Sequence, residues 1–480
     1  MLLERFYSDH LAQASYIIAC QDSKVAVVID PNRDVDQYID FAARRKLTIA
    51  FVTETHIHAD FVSGARDLAR RTGAELLLSG EGGRDWQYAF AGSDGARLLR
   101  HGDRIDVGEV QLQIVHTPGH TPEHICFLVT DHGTASAPMG LVSGDFIFAG
   151  DVGRPDLLER AANTAGTMDP MARTLFRSLQ TTKSLPDYLQ IWPGHGAGSA
   201  CGKSLGAIPS TTLGFERLTN WAFQIDEEDA FVTAVLAGQP EPPKYFAIMK
   251  ATNRDGPPPG RVGQDFMELD LDALRRAGAS GATVVDARQA SEFAAGHVPG
   301  SLNIPMGNSF ATWAGSLVPY DRQVAIIAED RGRAGRARHV LNLIGLDRVI
   351  GWGGPSLLDE LRARDGSLPT TEVIDAETLA ASPERMIIDV RARTEWDAGH
   401  IQDATHGFLG DLAATTRDLP RDTPIALHCA GGSRSATAAS LLKANGFTDV
   451  VNMEGGYGAW RDAGLPVVDD TQTTANPSHV

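Results

Sequence analysis

The chain has 480 residues, 42% of them hydrophobic and 22% charged, with 61 acidic against 43 basic side chains and a net charge of −18. That length asks for roughly three domains of about 150 residues each. The longest apolar runs are strand-sized and exclude a membrane-spanning helix, and an acidic chain without a Lys/Arg block excludes wholesale nucleic-acid binding. The opening residues, MLLERFYSDH, meet Glu4, Arg5 and Asp9 before any apolar stretch forms; no secretory signal is read there, and a cytoplasmic setting is expected. Cys20, Cys126, Cys201 and Cys429 are scattered along the chain without the paired spacing of a disulfide framework or zinc ribbon.

Up to about residue 240, the strand-like runs SYIIAC, KVAVVID, TIAFVTET, VQLQIVHT, HICFLVT and GLVSGDFIF alternate with helical stretches such as ADFVSGARDLARRTG. This predicts a layered α/β domain. Four strand-end loops then carry His or Asp: THIHAD (His56, His58, Asp60), TPGHTPEH (His120), SGD (Asp145) and WPGHG (His195). The carboxyl ends of strands are where α/β architectures place chemistry. His116 and His124 flank His120, but Pro118, Gly119 and Pro122 interrupt any helical face, so both are read as ordinary polar strand-end residues. Cys20 and Cys126 lie inside apolar strand patterns and are expected in the core.

NRDGPPPG, Asn253 to Gly260, cannot join a helix or an interior strand and is read as a linker, with a domain boundary near residues 250 to 265. Beyond it the chain repeats itself: VVDARQASEFAAGHVPG recurs as IIDVRARTEWDAGHIQD, with Asp286 matching Asp389 and His297 matching His400. Three domains are therefore expected, at 1–250, 262–365 and 371–470. In the second copy the strand PIALH runs into CAGGSRS. Small residues after Cys429 leave backbone N–H groups free to face its sulfur at a helix N-terminus, a setting that favours the nucleophilic thiolate. Arg434, alone or with His428, is expected to steady an anion there, the alternative being that the helix dipole suffices without either. The first copy reads AEDRGRAGRA, with Glu329 or Asp330 at the expected thiol position and no cysteine, so it is read as catalytically silent.

The D-x-R…E-W…G-H-I signature from Asp389 and the C-x4-R loop from Cys429 resemble the rhodanese family, which implies that Cys429 carries a sulfane sulfur as a persulfide and that the short loop suits sulfur rather than phosphate. The N-terminal order H-x-H-x-D, G-H, G-D, G-H resembles the metallo-β-lactamase fold of glyoxalase-type hydrolases and persulfide dioxygenases, as does the run from Gly144 to Asp156. Together these imply an αββα sandwich followed by two rhodanese-like α/β domains with parallel sheets. In the zinc hydrolases of this fold a second metal uses the histidine after the aspartate, and Phe61 stands there. The resemblance then implies one Fe(II) per chain on His56, His120 and Asp145, a two-histidine, one-carboxylate set that leaves open positions. His58, Asp60 and His195 would orient ligands or a bound water, or else make structural hydrogen bonds only.

Cys201, six residues after His195 and beside Lys203, is either a second sulfur-handling thiol or a small loop residue. The implied activity is oxidation of glutathione persulfide or another small persulfide by O2 to sulfite and thiol, with Cys429 adding sulfur to sulfite to give thiosulfate, in sulfide detoxification. The alternatives are a zinc-dependent thioester hydrolase of glyoxalase II type with a sulfurtransferase accessory, and a sulfur-relay protein with a vestigial metal site. No nucleic-acid or membrane partner is expected, and the sequence is compatible with a homo-oligomer.

Overall fold

A computed structural model describes residues 1–160, 166–259 and 266–468 of the protein. Gly260 and the expected domain limits at 262 and 470 lie outside them. The chain forms two compact units, Met1–Val262 with Asn342–Gly345 and Gly263–Leu341 with Leu346–Val480, and both repeats lie in the second unit. Among the described residues no helix is long and apolar enough to cross a membrane.

The first unit is built on two six-stranded sheets. One runs in chain order through Leu2–Ser8, Gln13–Ala19, Val25–Ile29, Thr48–Thr53, Glu75–Ser79 and Arg97–Leu99; the other runs from Arg104–Val107 through Val110–His116, Ile125–Asp131, Gly140–Gly144 and Gln190–Pro193 to Thr211–Thr212. Alternation of side chains along a strand explains why QASYIIA is buried at every position. Tyr16 and Ile18 face the second sheet, packing with Leu112, Ile114 and Phe127. Ile17 and Ala19 face outward beneath Tyr38, Phe41 and Leu68 of the helices Asp36–Arg45 and Ala65–Thr72. On the far face, Leu141 and Ile191 are covered by Leu175 and Phe231 of Met168–Thr182 and Glu228–Leu236. The result is the expected αββα sandwich. Cys20 packs between the sheets and Cys126 under the outer helices, where burial pushes the Cys126 thiol up to about 12.

Two elements depart from the sequence reading. The helical stretch starting at Ala59 becomes a helix only at Ala65, because residues before it are tied elsewhere: Ser63 bridges to Asn32 and the Gly64 N–H donates to the Pro31 carbonyl. The linker also begins later than read. Asn253 belongs to the helix Phe246–Asp255, which ends at Gly256; the prolines forbid helix only from residue 257 onward.

In the second unit each repeat forms a parallel sheet. The first has the order Leu302–Asn303, Thr283–Asp286, Val324–Ile327, Val349–Gly353; the second has Thr405–His406, Met386–Asp389, Ile425–His428, Val450–Met453 and an added edge strand, Glu372–Ile374. Helices cover both faces of the second sheet, with Leu427 under Ala438 and Leu442, and Ala426 under Leu379 and Trp460. The shared signature has a structural purpose. Arg288 forks onto Asp286 and donates to the Gly296 carbonyl, while Arg391 forks onto Asp389 and donates to the Gly399 carbonyl, each with an Nη2–Oδ2 distance of 2.6 Å. One turn on, His297 stacks on Phe293 and His400 on Trp396, at 3.9 and 3.7 Å between centroids.

Asp389 is fully buried, so removing its fork leaves an uncompensated charge. Arg391→Met should cost about 3–5 kcal/mol, read as a lower urea midpoint for the second unit's transition with the first unit's transition unmoved.

Candidate metal centre and active-site loop

The N-terminal site collects side chains from four loops at strand ends. Donor atoms of His56, His120 and Asp145 lie within 4.8 Å of one another, and so do those of Asp60, His195 and Cys201; all six residues are buried. His56 Nε2 and His120 Nε2 are 3.9 and 3.5 Å from Asp145 Oδ2, and His195 Nε2 is 3.5 Å from Asp145 Oδ1 and 3.4 Å from Asp60 Oδ2. Both carboxylate oxygens of Asp145 and of Asp60, and His195 Nε2, have no hydrogen-bond partner among the described residues. Converging, buried, unpartnered donors of this kind fit a cation.

Each imidazole is aimed by its other nitrogen. His120 Nδ1 donates to the Arg154 carbonyl and His195 Nδ1 to the Ala12 carbonyl, both at 3.0 Å. For His56 the tie is longer: Thr55 Oγ1 donates to Asp30 at 2.9 Å and accepts from His56 Nδ1 at 2.9 Å. Such ties fix the tautomer and leave Nε2 as the free ligand atom. Burial lowers His120, and burial with the surrounding imidazoles lowers His56 well below the ordinary histidine range, so both stay neutral. Burial raises Asp145 but the imidazoles of His195 and His120 outweigh it, leaving the carboxyl below its usual range; burial raises Asp60. Gly194 is required: a Cβ there would stand 2.8 Å from Asp145 Oδ1.

His58 is turned away from both trios by its Nε2, which meets Asp30 at 3.1 Å. Its Nδ1 has no hydrogen-bond partner among the described residues. Burial opposes its charge, yet Asp30 wins and raises its pKa to about 9. Phe61 is fully buried and packs on the His58 ring at 4.5 Å. His124 accepts from the Asp145 N–H and His116 bonds the Pro122 carbonyl, so both serve the loops. Cys201 joins Asp60 and His195, but Lys203 does not assist it, since its Nζ donates to the Ala234 carbonyl and lies over Trp221. Burial, followed by Asp145 and Asp60, pushes the Cys201 thiol well above the usual range.

Three positioning residues escaped the sequence reading. Asn253 donates to the carbonyls of His58 and Phe61 and accepts from the Ser63 N–H, at 2.7–2.9 Å. Arg154 is fully buried, forks onto Asp156 and donates to the Ala200 and Pro240 carbonyls. Asp151 accepts from the N–H groups of Lys203 and Ser204. Asn253 had no visible signal, being a polar residue next to a proline run. The GRPD string was the signal for Arg154 and Asp156.

At the other site, Cys429 directly follows its strand. Its Sγ accepts from the Gly432 N–H at 3.1 Å and from Ser435 Oγ at 3.6 Å. The turn at Gly455–Gly456 clamps the loop, with Tyr457 N–H on the Cys429 carbonyl at 2.7 Å; a Cβ on left-handed Gly456 would lie 2.3 Å from that oxygen. Arg434 is held by Glu395 through two bonds of 2.6 and 2.8 Å, and Glu395, with Cys429 as a lesser cause, keeps its guanidinium firmly charged. His428 does not supply the expected cation. It faces Asp389 at 3.6 Å, and burial lowers its pKa to about 4. In the first repeat the register places Ala328, not Glu329 or Asp330, opposite Cys429: Thr283 pairs with Val324 as Met386 pairs with Ile425. Alanine offers no nucleophile.

Asn253→Leu keeps the side-chain volume but strands two carbonyls and an N–H, and should weaken metal retention roughly tenfold, measured as metal lost to a chelator per folded chain. His428 stays neutral in the folded unit while it charges in the unfolded chain below pH about 6.5. Stability of the second unit should therefore be full above that pH and fall as pH drops toward about 4; urea midpoints that decline equally in His428→Leu would assign the loss to other groups.

The Metallo-beta-lactamase superfamily matches residues 9–195, and the Rhodanese-like domain matches 270–352 and 373–463. A crystal structure of a metallo-beta-lactamase from Staphylococcus aureus subsp. aureus COL is 43% identical, covering 73% of this chain and 98% of its own, with a TM-score of 0.68. A beta-lactamase hydrolase-like protein of Xylella fastidiosa (strain 9a5c) is 26% identical over 301 residues, 57% of this chain and 65% of that protein. A hydroxyacylglutathione hydrolase of Polaromonas sp. (strain JS666 / ATCC BAA-500) is 32% identical over 198 residues, 41% of this chain and 66% of that protein. The chain thus spans just under two thirds of the length of these two curated relatives. Metal-site fold, twin parallel-sheet repeats and these likenesses agree: the chain belongs to the metallo-β-lactamase superfamily and carries two rhodanese-like domains.

Proposed function

We propose that the chain is a persulfide dioxygenase with a sulfurtransferase arm. In balanced form, RSSH, O2 and H2O give RSH, sulfite and two protons; the sulfane sulfur loses four electrons and dioxygen gains them. The observation that carries this reading is the trio His56, His120 and Asp145, with His58 committed through Nε2 to Asp30. Two histidines and one carboxylate are the donor set of non-haem Fe(II) oxygenases, and iron bound there would supply the redox chemistry toward O2. The chain's own groups hold that site dry and fixed. Asp60 and His195 border it, and Cys201, kept as a thiol by burial, lies beside them.

Cys429 performs the second step. Its thiolate attacks the outer sulfur of a donor persulfide, a new S–S bond forms, and the carrier leaves as RS⁻ and takes a proton. Sulfite then attacks the outer sulfur and leaves as thiosulfate, restoring the thiolate. Gly432 N–H and Arg434 steady the anion.

A second reading has an observation of its own. Asp60, His195 and Cys201 form another close trio, which could hold a second cation, and two zinc ions would make the site a thioester hydrolase. Metal analysis joined to oxygen uptake separates the two. About one iron per chain, with O2 consumed and sulfite formed on adding glutathione persulfide, is expected; two zincs, no O2 uptake and turnover of S-lactoylglutathione would establish the hydrolase. Cys429→Ser should abolish thiosulfate formation and leave O2 uptake largely intact, whereas a sulfur relay with a vestigial metal site would lose all function.

A further inference from the structure

Glu123 and His124 stand on the loop that carries His120 and are fully buried, yet neither belongs to either donor trio. Both reach the other metal loops. Glu123 Oε1 accepts from the Ile57 N–H at 2.8 Å, just after His56, and the Ile125 N–H donates to the Thr55 carbonyl at 2.8 Å, just before it. His56 is thereby held on both sides from the His120 loop. His124 Nε2 accepts from the N–H of Asp145 itself at 3.1 Å. Gly144 makes that approach possible: its φ is +50°, and a Cβ there would lie 2.8 Å from His124 Nε2 and 2.7 Å from Thr55 Oγ1.

The tautomer of His124 follows from a chain of bonds that ends on a carbonyl. The Ser143 oxygen only accepts, so Cys126 Sγ donates to it at 3.4 Å. A thiol has one proton, and burial keeps it in place; the 3.1 Å contact between Thr117 Oγ1 and Cys126 Sγ therefore runs from the hydroxyl to the sulfur. With that hydroxyl proton committed, the 2.8 Å contact between His124 and Thr117 Oγ1 runs from Nδ1–H to oxygen. Nε2 is left with its lone pair for Asp145. The chain of bonds leaves the Asp145 loop at Ser143 and returns to it at Asp145, so it closes on itself.

We infer that Glu123 and His124 are positioning residues that set the triangle of His56, His120 and Asp145, with Thr117 and Cys126 holding His124 in its accepting tautomer. One loop carries a ligand and fixes the backbone at the other two. The spacing of three donors from distant parts of the sequence is thus set in one place, through backbone N–H groups and without contact with the ion. The inference rests on the reading of that trio as the metal centre, not on which metal it holds.

The test uses the full chain, stripped of metal by a chelator and titrated with Co(II), whose visible bands report the geometry of its donors. Thr117→Val removes the hydroxyl at nearly the same shape and Thr117→Ser keeps it; Glu123→Leu removes the acceptor for Ile57 and Glu123→Gln keeps an oxygen there. Thr117→Val and Glu123→Leu should each shift the Co(II) bands and weaken Co(II) binding about tenfold. Thr117→Ser and Glu123→Gln should keep the wild-type bands and nearly the wild-type affinity. Unchanged bands and affinity in folded Thr117→Val, even with a lower urea midpoint, would leave a structural role only and overturn the inference, as would equal losses in Thr117→Val and Thr117→Ser. Should Glu123→Leu fail to fold, the two Thr117 variants decide. No uptake of Co(II) by wild type, or bands untouched by His120→Ala, would overturn the metal-centre reading and the inference with it.

Discussion

Asp145 is completely buried and, among the described residues, neither of its carboxylate oxygens has a hydrogen-bond partner. An unpaired buried carboxylate costs several kcal/mol, and the three imidazoles within 3.9 Å make no hydrogen bond to it. A cation between them would satisfy it. The surrounding structure is arranged as if the cation's place were fixed in advance, with Nδ1 of each imidazole tied to a backbone carbonyl or hydroxyl so that only Nε2 remains. The same constraint explains the neighbouring glycine at 194, where any side chain would take the room of the carboxylate.

The loops bearing these ligands come from distant parts of the sequence, and buried ion pairs and caps join them. Arg154 links three: its carbonyl orients His120, its side chain reaches the Ala200 carbonyl, and Asp156 neutralises it. Asp151 caps the loop that follows Cys201. Asn253, from a helix some 190 residues away in sequence, secures the loop between His58 and Ser63. Surroundings this well satisfied hold ligand geometry in place.

Much of this was legible beforehand, for physical reasons. Candidate ligands occur at strand ends in short motifs with glycine and proline, the alternating runs announce a layered α/β domain, and the sandwich followed from the resemblance those motifs carry. What stayed hidden depends on tertiary placement. Asn253 looked like the start of a linker because prolines four residues later dominate the local pattern, yet a proline constrains mainly itself and the residue before it. Cys201 showed its spacing from His195 but not that it would lie with Asp60. His428 looked like a cation next to a thiolate, and only its burial against Asp389 shows it neutral. The first repeat's acidic pair looked like a replacement for the thiol, whereas strand register places Ala328 there.

That last difference explains how duplicated sheets diverge in chemistry. Both repeats keep the Asp–Arg fork and the stacked histidine, since these hold the turn after the central strand. They differ where a helix begins. In the first repeat Asp330 accepts from the Arg333 N–H at 2.8 Å, so the chain supplies its own anion to the helix N-terminus. In the second, Gly432 and Ser433 offer no side chain of that charge, and the nearest acceptor is the sulfur of Cys429. One repeat has closed its anion site with a carboxylate and the other has left it to the sulfur of Cys429, so the two copies differ in which atom caps the helix.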